Sequence, residues 1–229
     1  MKKVISLFFI TVLIFSCADH NIEKGNLIVK GKVKGLRLGT LLLKQMIKDS
    51  LVSLDSIKVD GNENFEFHTN IDEPQMILLE LPEVKDGKIL FFATPGDTVQ
   101  IYTYVENFGI NPTVKGGINQ NKLNEFNEMM KKFSNKELDL FKAKFDAQKS
   151  YLFEEADSIG RKLNRLEKKR KLYTLNFIFQ NKDKAVAPYI ALTEFSNNPE
   201  VVDTIYKTLL PEQQNSLYGK ELKKLLHHE

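Results

Sequence analysis

Hydrophobic and polar positions alternate along much of the chain between residues 26 and 116. Leu27, Val29 and Val33 alternate with Lys30 and Lys32 in the first such run. A period of two is typical of half-buried strands, so this run predicts a strand. Further alternating or continuously apolar runs predict strands at 40–43, 51–59, 65–67, 75–81, 89–93 and 98–105.

Turn residues separate these predicted strands. Asp-Gly at 60–61 is a turn signal that leads into the run at 65–67. The sequence TPGD at 94–97 fits a type II turn, because Pro presets φ at the second position and Gly accepts a positive φ at the third. Short strands at this spacing predict an antiparallel sandwich or a partly open barrel over residues 26–116.

The hydrophobic period changes to about 3.6 residues after the two glycines at 116–117. A first apolar stripe consists of Leu123, Phe126, Met130 and Phe133. Ser134 and Glu137 have capping-box spacing, which predicts a bend or a new helix near residue 134. The stripe then restarts as Leu138, Phe141, Phe145 and Leu152.

A second long helix is predicted by a further apolar stripe that breaks at 181–184. Its members are Ile159, Leu163, Leu166, Tyr173 and Phe177. Pro188, Pro199 and Pro211 each suit the first turn of a short helix, and Asn198 suits the cap before Pro199. We therefore predict an all-helical domain over 117–229 and an α+β fold overall.

The N-terminal residues have the layout of a secretory signal. Lys2 and Lys3 precede an apolar run over 4–15, which is too short for the ~20 residues that span a bilayer. Cys17 follows directly and resembles the lipobox cysteine of bacterial lipoproteins, whose sulfur takes a diacylglyceryl group. The alternative is a buried N-terminal helix with a chance cysteine. We expect a signal peptide over 1–16 and a lipidated cysteine with a flexible tether over 17–25.

The residue after the cysteine bears on the location. Ala18 is not Asp, and by analogy with known sorting signals this favours the outer membrane over the inner membrane. Cys17 is the single cysteine of the chain. If it is acylated, disulfides, a Cys-x-x-Cys pair, a cysteine nucleophile and thiolate metal sites are all excluded.

Composition is that of an ordinary globular protein, with 42% hydrophobic and 28% charged residues. Removal of Lys2 and Lys3 from the 33 basic side chains leaves 31 against 30 acidic ones. The mature protein is therefore close to neutral, and nothing predicts a nucleic-acid partner.

An ordered series of short motifs resembles one family over roughly 26–226. The motifs are GKVKG at 31–35, LDSIKVDG at 54–61, FEF at 65–67, TPGDT at 94–98, VKGG at 114–117, APY at 187–189 and LYGKEL at 217–222. The family is the domain of unknown function that precedes the thioredoxin-like (AhpC/TSA-type) domain of membrane-anchored bacterial thiol-disulfide oxidoreductases. In those relatives the redox domain begins about where this chain ends, so the resemblance implies the accessory domain without the catalytic cysteines.

Few residues are candidates for catalysis or metal binding. His20, His68, His227 and His228 show no metal-ligand spacing, and no cofactor or metal site is predicted. Four carboxylates are candidates for a glycoside-hydrolase pair: Asp55, Asp60, Glu63 and Asp97. Three of them lie in or beside predicted turns, where acidic residues form local hydrogen bonds, so no catalytic residue is assigned.

A basic run in the second long helix is the sharpest local feature. Its members are Arg161, Lys162, Arg165, Lys168, Lys169, Arg170 and Lys171. Such a run contacts anionic headgroups or an acidic partner in some proteins, at ~1 kcal/mol per charge near a membrane. It is also typical of a solvated helix face, with i,i+4 pairs such as Glu167 and Lys171, and we favour this second interpretation.

Together these features predict a lipid-anchored, non-catalytic binding or scaffolding module of the cell envelope, which recognises a partner through a sheet edge or a helical surface. The alternative is an accessory protein that docks a separate thioredoxin-like oxidoreductase. An envelope hydrolase that uses the turn carboxylates is a distant third hypothesis.

Overall fold

The computed structural model describes residues 25–47 and 50–226. In this part of the chain the strands are β1 (Leu27–Lys34), β2 (Leu38–Ile47), β3 (Ser50–Asp60), β4 (Asn64–Thr69), β5 (Gln75–Glu80), β6 (Lys88–Ala93), β7 (Thr98–Tyr104) and β8 (Thr113–Lys115). They form two four-stranded sheets, in the orders β4-β1-β7-β8 and β3-β2-β5-β6. The fold is thus sandwich-like and not a closed barrel.

The core of the sandwich consists of the alternating apolar residues of both sheets. Leu27, Val29 and Val33 of β1 are buried together with Leu41 and Leu43 of β2. The alternation over 26–116 therefore does mark the buried face. Five of the six strand pairings in the described chain are antiparallel, but β1 and β7 run parallel. No hairpin joins these two strands, so no turn fixes their relative direction.

The predicted turn at 94–97 is confirmed in its backbone. Gly96 has φ +96°, and the Asp97 N–H donates to the Thr94 carbonyl over 2.9 Å. This is the positive φ that a type II turn needs at its third residue.

The sandwich has two ends, which we call the base and the top. The base is the end at which β1 begins, beside the last residue of β4 and the first of β7, in the register Leu27↔Thr69 and Ile28↔Thr98. Short connections at 35–37 and 61–63 join the two sheets at the opposite end, the top. β2 and β3 therefore meet each other at the base.

Six helices follow the strands in the described chain: α1 (Ile118–Lys149), α2 (Phe153–Gln180), α3 (Val186–Phe195), α4 (Pro199–Thr208), α5 (Pro211–Gln214) and α6 (Leu217–Leu226). The predicted α+β class, with strands first and helices after, is confirmed. Asn198 caps α4 as expected, because its side-chain oxygen accepts from the Val201 N–H.

The predicted bend near residue 134 is wrong. α1 continues from Ile118 to Lys149, and the chain turns only at 150–152. α1 and α2 pack as an antiparallel hairpin, in which Phe126 contacts Phe177 and Ala147 packs with Ala156 and Ile159. Because this contact line runs past Ser134 without interruption, the capping-box residues stay inside the helix.

The second half of the α1 stripe is also not buried as a core stripe would be. Leu138, Phe141, Phe145 and Leu152 are each more than half exposed. α2 packs on a neighbouring line of α1 instead, through residues such as Leu140 and Ala147. The hairpin thus has more apolar residues than the contact between α1 and α2 buries.

The helices after the hairpin pack on the outer face of the second sheet. Phe92 of β6 contacts the rings of Tyr189 and Tyr218. The Met76 N–H donates to the Tyr218 hydroxyl over 2.8 Å, and the Leu217 N–H donates to a Glu73 carboxylate oxygen over 2.7 Å. Burial raises the pKa of Tyr218 to about 12, so the hydroxyl stays protonated.

Candidate functional site

A groove of about 680 Å³ lies where the edge strands β6 and β8 approach α1. Its walls include Leu90 of β6, Ile110 and Asn111 of the β7–β8 connection, and Asn127 and Lys131 of α1. Backbone edges and amide side chains thus meet in one concave surface.

Two side chains of α1 connect the two sheet edges. Gln120 Oε1 accepts from the Phe92 N–H of β6 over 2.6 Å, and Asn124 Nδ2 donates to the Val114 carbonyl of β8 over 2.8 Å. Gln120 Nε2 also donates to Asn124 Oδ1 over 2.6 Å. We call Gln120 and Asn124 the amide bridge. It satisfies edge-strand groups that would otherwise be open, and so it fixes α1 across the open side of the sandwich.

Asn119 extends this polar contact to the helices. Its Nδ2 donates to Thr94 Oγ1 over 3.0 Å, and its Oδ1 accepts from the Val186 N–H over 3.1 Å. Asn119 and Gln120 are both buried. The first two turns of α1 therefore hold β6, β8 and α3 in a fixed arrangement around the groove.

One residue of the β6 edge stays open to the groove. The Phe92 N–H points away from β5 and donates to Gln120. Residues two apart on a strand point their backbone groups to the same side. The Leu90 N–H and C=O therefore also point away from β5. On the other side of Leu90, Gly109 covers the Lys88 carbonyl, because a Cβ at Gly109 would lie 2.5 Å from that oxygen. Within the described chain, neither Leu90 group has a hydrogen-bond partner outside the sheet, and the residue is 62% exposed.

The basic run lies on α2, away from the groove. Arg170 pairs with Glu194 at 3.6 Å, and Lys171 pairs with Glu167 at 2.8 Å. The other five members form no ion pair with any residue that the structure describes, and all five are exposed: Arg161, Lys162, Arg165, Lys168 and Lys169. Two of the seven charges are therefore compensated within the fold.

The four candidate carboxylates are distributed over the sandwich, with Asp60 and Glu63 on either side of one turn at the top and Asp97 at the base. Glu63 is at the top, where it accepts from the Gly35 N–H and pairs with Lys32 at 3.1 Å, and these contacts lower its pKa. Asp97 is at the base, where it accepts from the Thr94 N–H and burial raises its pKa. Asp55 accepts from the adjacent Ser56 N–H, and Asp60 ends β3 at the top. The contacts of Asp55, Glu63 and Asp97 are with backbone N–H groups and a lysine, and they account for these side chains by strand and turn structure.

Several predicted features lie outside the described residues: the signal peptide over 1–16, Cys17 and most of the tether, and His227 with His228. Within 25–47 and 50–226, no group of three or more His, Cys, Asp or Glu side chains is placed to hold a metal ion. No helix in these same ranges combines the length and the apolar character needed to cross a bilayer.

The pattern of the sequence does not predict the groove or the amide bridge. A signal was present, since four amide residues fall within six positions at the start of an amphipathic helix: Asn119, Gln120, Asn121 and Asn124. Amide side chains placed beside an apolar stripe need hydrogen-bond partners when the helix is buried. Their partners on β6 and β8 were not identifiable without the tertiary fold.

Residues 27–123 match the model of a family described as a domain of unknown function (DUF4369). The match covers all eight strands and ends inside α1, after Gln120 and before Asn124. No curated protein and no solved structure matches the chain. Over its β half the chain is therefore similar to this domain, whose description assigns no activity.

Proposed function

We propose that the protein is a lipid-anchored, non-catalytic binding module of the cell envelope, and that its groove takes an extended polypeptide segment. The observation that carries this proposal is the outward-facing N–H and C=O pair of Leu90 in the groove at the β6 edge.

An extended peptide offers the complement of this pair, because each residue of a strand presents one N–H and one C=O to the same side. Addition of a strand to an open edge is a recurring mode of peptide recognition. The amide bridge caps the edge at Phe92, so it limits the addition to the stretch around Leu90.

The groove walls indicate what the segment would carry. Leu90 and Ile110 expose apolar side chains, Asn111 and Asn127 offer amides, and Lys131 stands near the acidic Glu128. The charges of the walls balance, so the preferred segment is uncharged, with one apolar residue between polar ones.

The groove is tested with random peptides displayed on phage and panned on the full chain, after which the affinity of a selected peptide is measured by calorimetry. Replacement of Leu90 by Pro removes the open N–H and is compatible with an edge strand. We expect about fivefold weaker binding, as one hydrogen bond is worth ~1 kcal/mol. Leu90→Ala is the matched control and keeps the N–H. Equal affinity for Leu90→Pro and Leu90→Ala, or no selected peptide, contradicts the groove proposal.

The anchor is supported by the lipobox-like sequence that ends in Cys17. Mass analysis of the exported protein is expected to show cleavage before Cys17 and a diacylglyceryl group on its sulfur. Cys17→Ser is expected to release the protein from the membrane fraction. A free thiol at Cys17, or an uncut leader, contradicts this part of the proposal.

A second candidate function is docking of a separate thioredoxin-like oxidoreductase. The resemblance of the motifs suggests a thioredoxin-like protein as the partner. The surface that favours a protein partner is the exposed stripe of Leu138, Phe141 and Phe145 on α1. Spacings of three and four residues repeat in this stripe, as in the contact seam of a coiled coil. Phe141→Asp is expected to abolish co-elution with a purified thioredoxin-like protein of the same organism. Lys142→Asp, one position away, is the control and keeps the apolar stripe.

A further inference from the structure

The β2–β3 hairpin carries exposed apolar residues at its closed end. Met46, Ile47, Leu51 and Val52 are 52%, 44%, 48% and 41% exposed. We call these four residues the hairpin tip. None of them belongs to the core of the sandwich.

The sandwich does not cover the hairpin tip on either face. Pairing of β2 with β5 ends at Gln45↔Ile77, whereas pairing with β3 continues through Met46↔Leu51. Side chains alternate between the two faces of a strand, so Met46 and Leu51 share one face, and Ile47 and Val52 share the other. A half-buried strand is apolar on one face only, and the hairpin tip departs from this rule on both.

The hairpin tip lies at the base, the end from which the chain continues toward Cys17. In the strand orders of the two sheets, β1 and β2 occupy the same second position, so β1 lies opposite β2. Packed sheets are ~10 Å apart. The first residue of β1 and the last residues of β2 are therefore neighbours across the sandwich. Seven residues, 18–24, separate Cys17 from Gly25, where the described chain begins, and the distance from Cys17 to Gly25 is at most about 28 Å.

The α1–α2 hairpin points the other way. α1 begins at the base, where Asn119 bonds Thr94, and passes Val114 of β8 at Asn124. It then borders the β7–β8 connection at the top through Asn127 and Lys131. The remaining length of α1, and the basic run of α2 that packs beside it, lie beyond the top.

We propose that the hairpin tip rests in the interfacial region of the lipid bilayer next to the acyl anchor, and that the α1–α2 hairpin projects away from the membrane. The inference rests on the proposed lipidation of Cys17, because the anchor is what brings the base to the bilayer. Burial of apolar side chains at the headgroup boundary is favourable, and a second contact is what makes a single lipid anchor stable. A lipid anchor on Cys17 would keep the base of each molecule next to the bilayer, so the bilayer is the partner that we assign to the hairpin tip.

The contact has a predicted chemical character. All four side chains of the hairpin tip are uncharged, and Lys48 and Asp49, which lie between them in the sequence, carry opposite charges. The contact therefore depends on apolar burial, and we expect only a weak dependence on salt. The basic run is on the far side of the molecule, which favours its interpretation as a solvated face.

The test uses the lipidated full-length mature protein on vesicles of phosphatidylethanolamine and phosphatidylglycerol. Acylation blocks Cys17, so a cysteine introduced by Ser50→Cys carries an environment-sensitive fluorophore at the hairpin tip. Ser150→Cys, in the exposed turn between α1 and α2, is the matched control. We expect a blue shift of emission for the Ser50→Cys label, quenching by a lipid-borne quencher, and neither effect for the Ser150→Cys label.

A second variant separates the label from the contact. Leu51→Glu in the Ser50→Cys protein is expected to reduce the blue shift, while Leu138→Glu leaves it unchanged. An unshifted Ser50→Cys label on protein that mass analysis shows to be acylated and vesicle-bound overturns this inference alone. A blue shift at Ser150→Cys overturns the orientation. Absence of acylation overturns the anchor itself, which is a distinct failure.

Discussion

At the scale of single residues, polar side chains hold the chain where strands end. Asp97 accepts from the Thr94 N–H in the turn at the base, and its carboxyl packs against Gly117 just before α1. A Cβ at residue 117 would collide with Asp97 Oδ1, so a larger residue there would displace the Asp97 carboxyl. One acidic side chain thus joins the β7 turn to the start of the helical region.

This residue predicts a pH dependence of stability. Burial raises the pKa of Asp97 above its ordinary 3.8, so the folded state binds the proton more tightly than the unfolded state. The contribution of Asp97 to the free energy of unfolding is therefore fully present below pH 3.8 and is lost as pH rises through the folded pKa. Urea titrations over this range are expected to show a stability difference between wild type and Asp97→Asn that falls with rising pH. A constant difference contradicts the assignment.

At the scale of elements, the α1–α2 hairpin separates apolar residues that are buried between its helices from apolar residues that stay exposed. Ile159 of α2 is buried against Ala147 and Ala156, whereas Phe145 of α1 is exposed. The sequence gives both the same apolar character. Their positions on the two helices decide which one faces the other helix.

A matched pair of variants tests this separation. Ile159→Ala is expected to lower the free energy of unfolding by ~2–4 kcal/mol, because it leaves a cavity in the hairpin contact. Phe145→Ala is expected to change it by less than ~0.5 kcal/mol, as is usual for exposed positions. Urea unfolding followed by circular dichroism measures both. A large loss for Phe145→Ala would show that the stripe is already covered within the chain.

At the scale of the whole molecule, the helical region and the sandwich stabilise each other. The outer face of the second sheet carries Met76 and Phe92, and both pack in the same apolar cluster as α3 and α6. The match to the domain of unknown function stops at residue 123, before the residues that cover this face. The β half therefore needs the helices to bury its second sheet.

Tyr218 tests this mutual dependence. Tyr218→Phe leaves the Met76 N–H without its partner, and we expect a loss of ~1–3 kcal/mol in the free energy of unfolding. Strand and helix probes are expected to report one shared transition at a lower urea concentration. Tyr151→Phe, at an exposed ring, is the control and is expected to be neutral. Separate transitions for the two halves would indicate independent domains.

Local patterns alone determined a large part of this protein. Alternating and continuously apolar runs located seven strands, six of them within two residues of their observed bounds, whereas β2 extends well beyond the predicted 40–43. Turn chemistry predicted the positive φ of Gly96, and both signals depend on residues adjacent in the chain. β8 was missed because three residues are too few to show a period. The cap at Asn198 was also predictable, because capping depends on residues within three positions of each other in the chain.

Tertiary structure decided what no local pattern contains. The parallel pairing of β1 with β7, the amide bridge from Gln120 and Asn124 to β6 and β8, and the exposure of the α1 stripe each involve segments distant in the chain. Their energies come from pairing and burial between elements, and a one-dimensional hydrophobic pattern records only that a residue is apolar, not which surface covers it. The groove and the hairpin tip, on which both proposals depend, emerge only at this level.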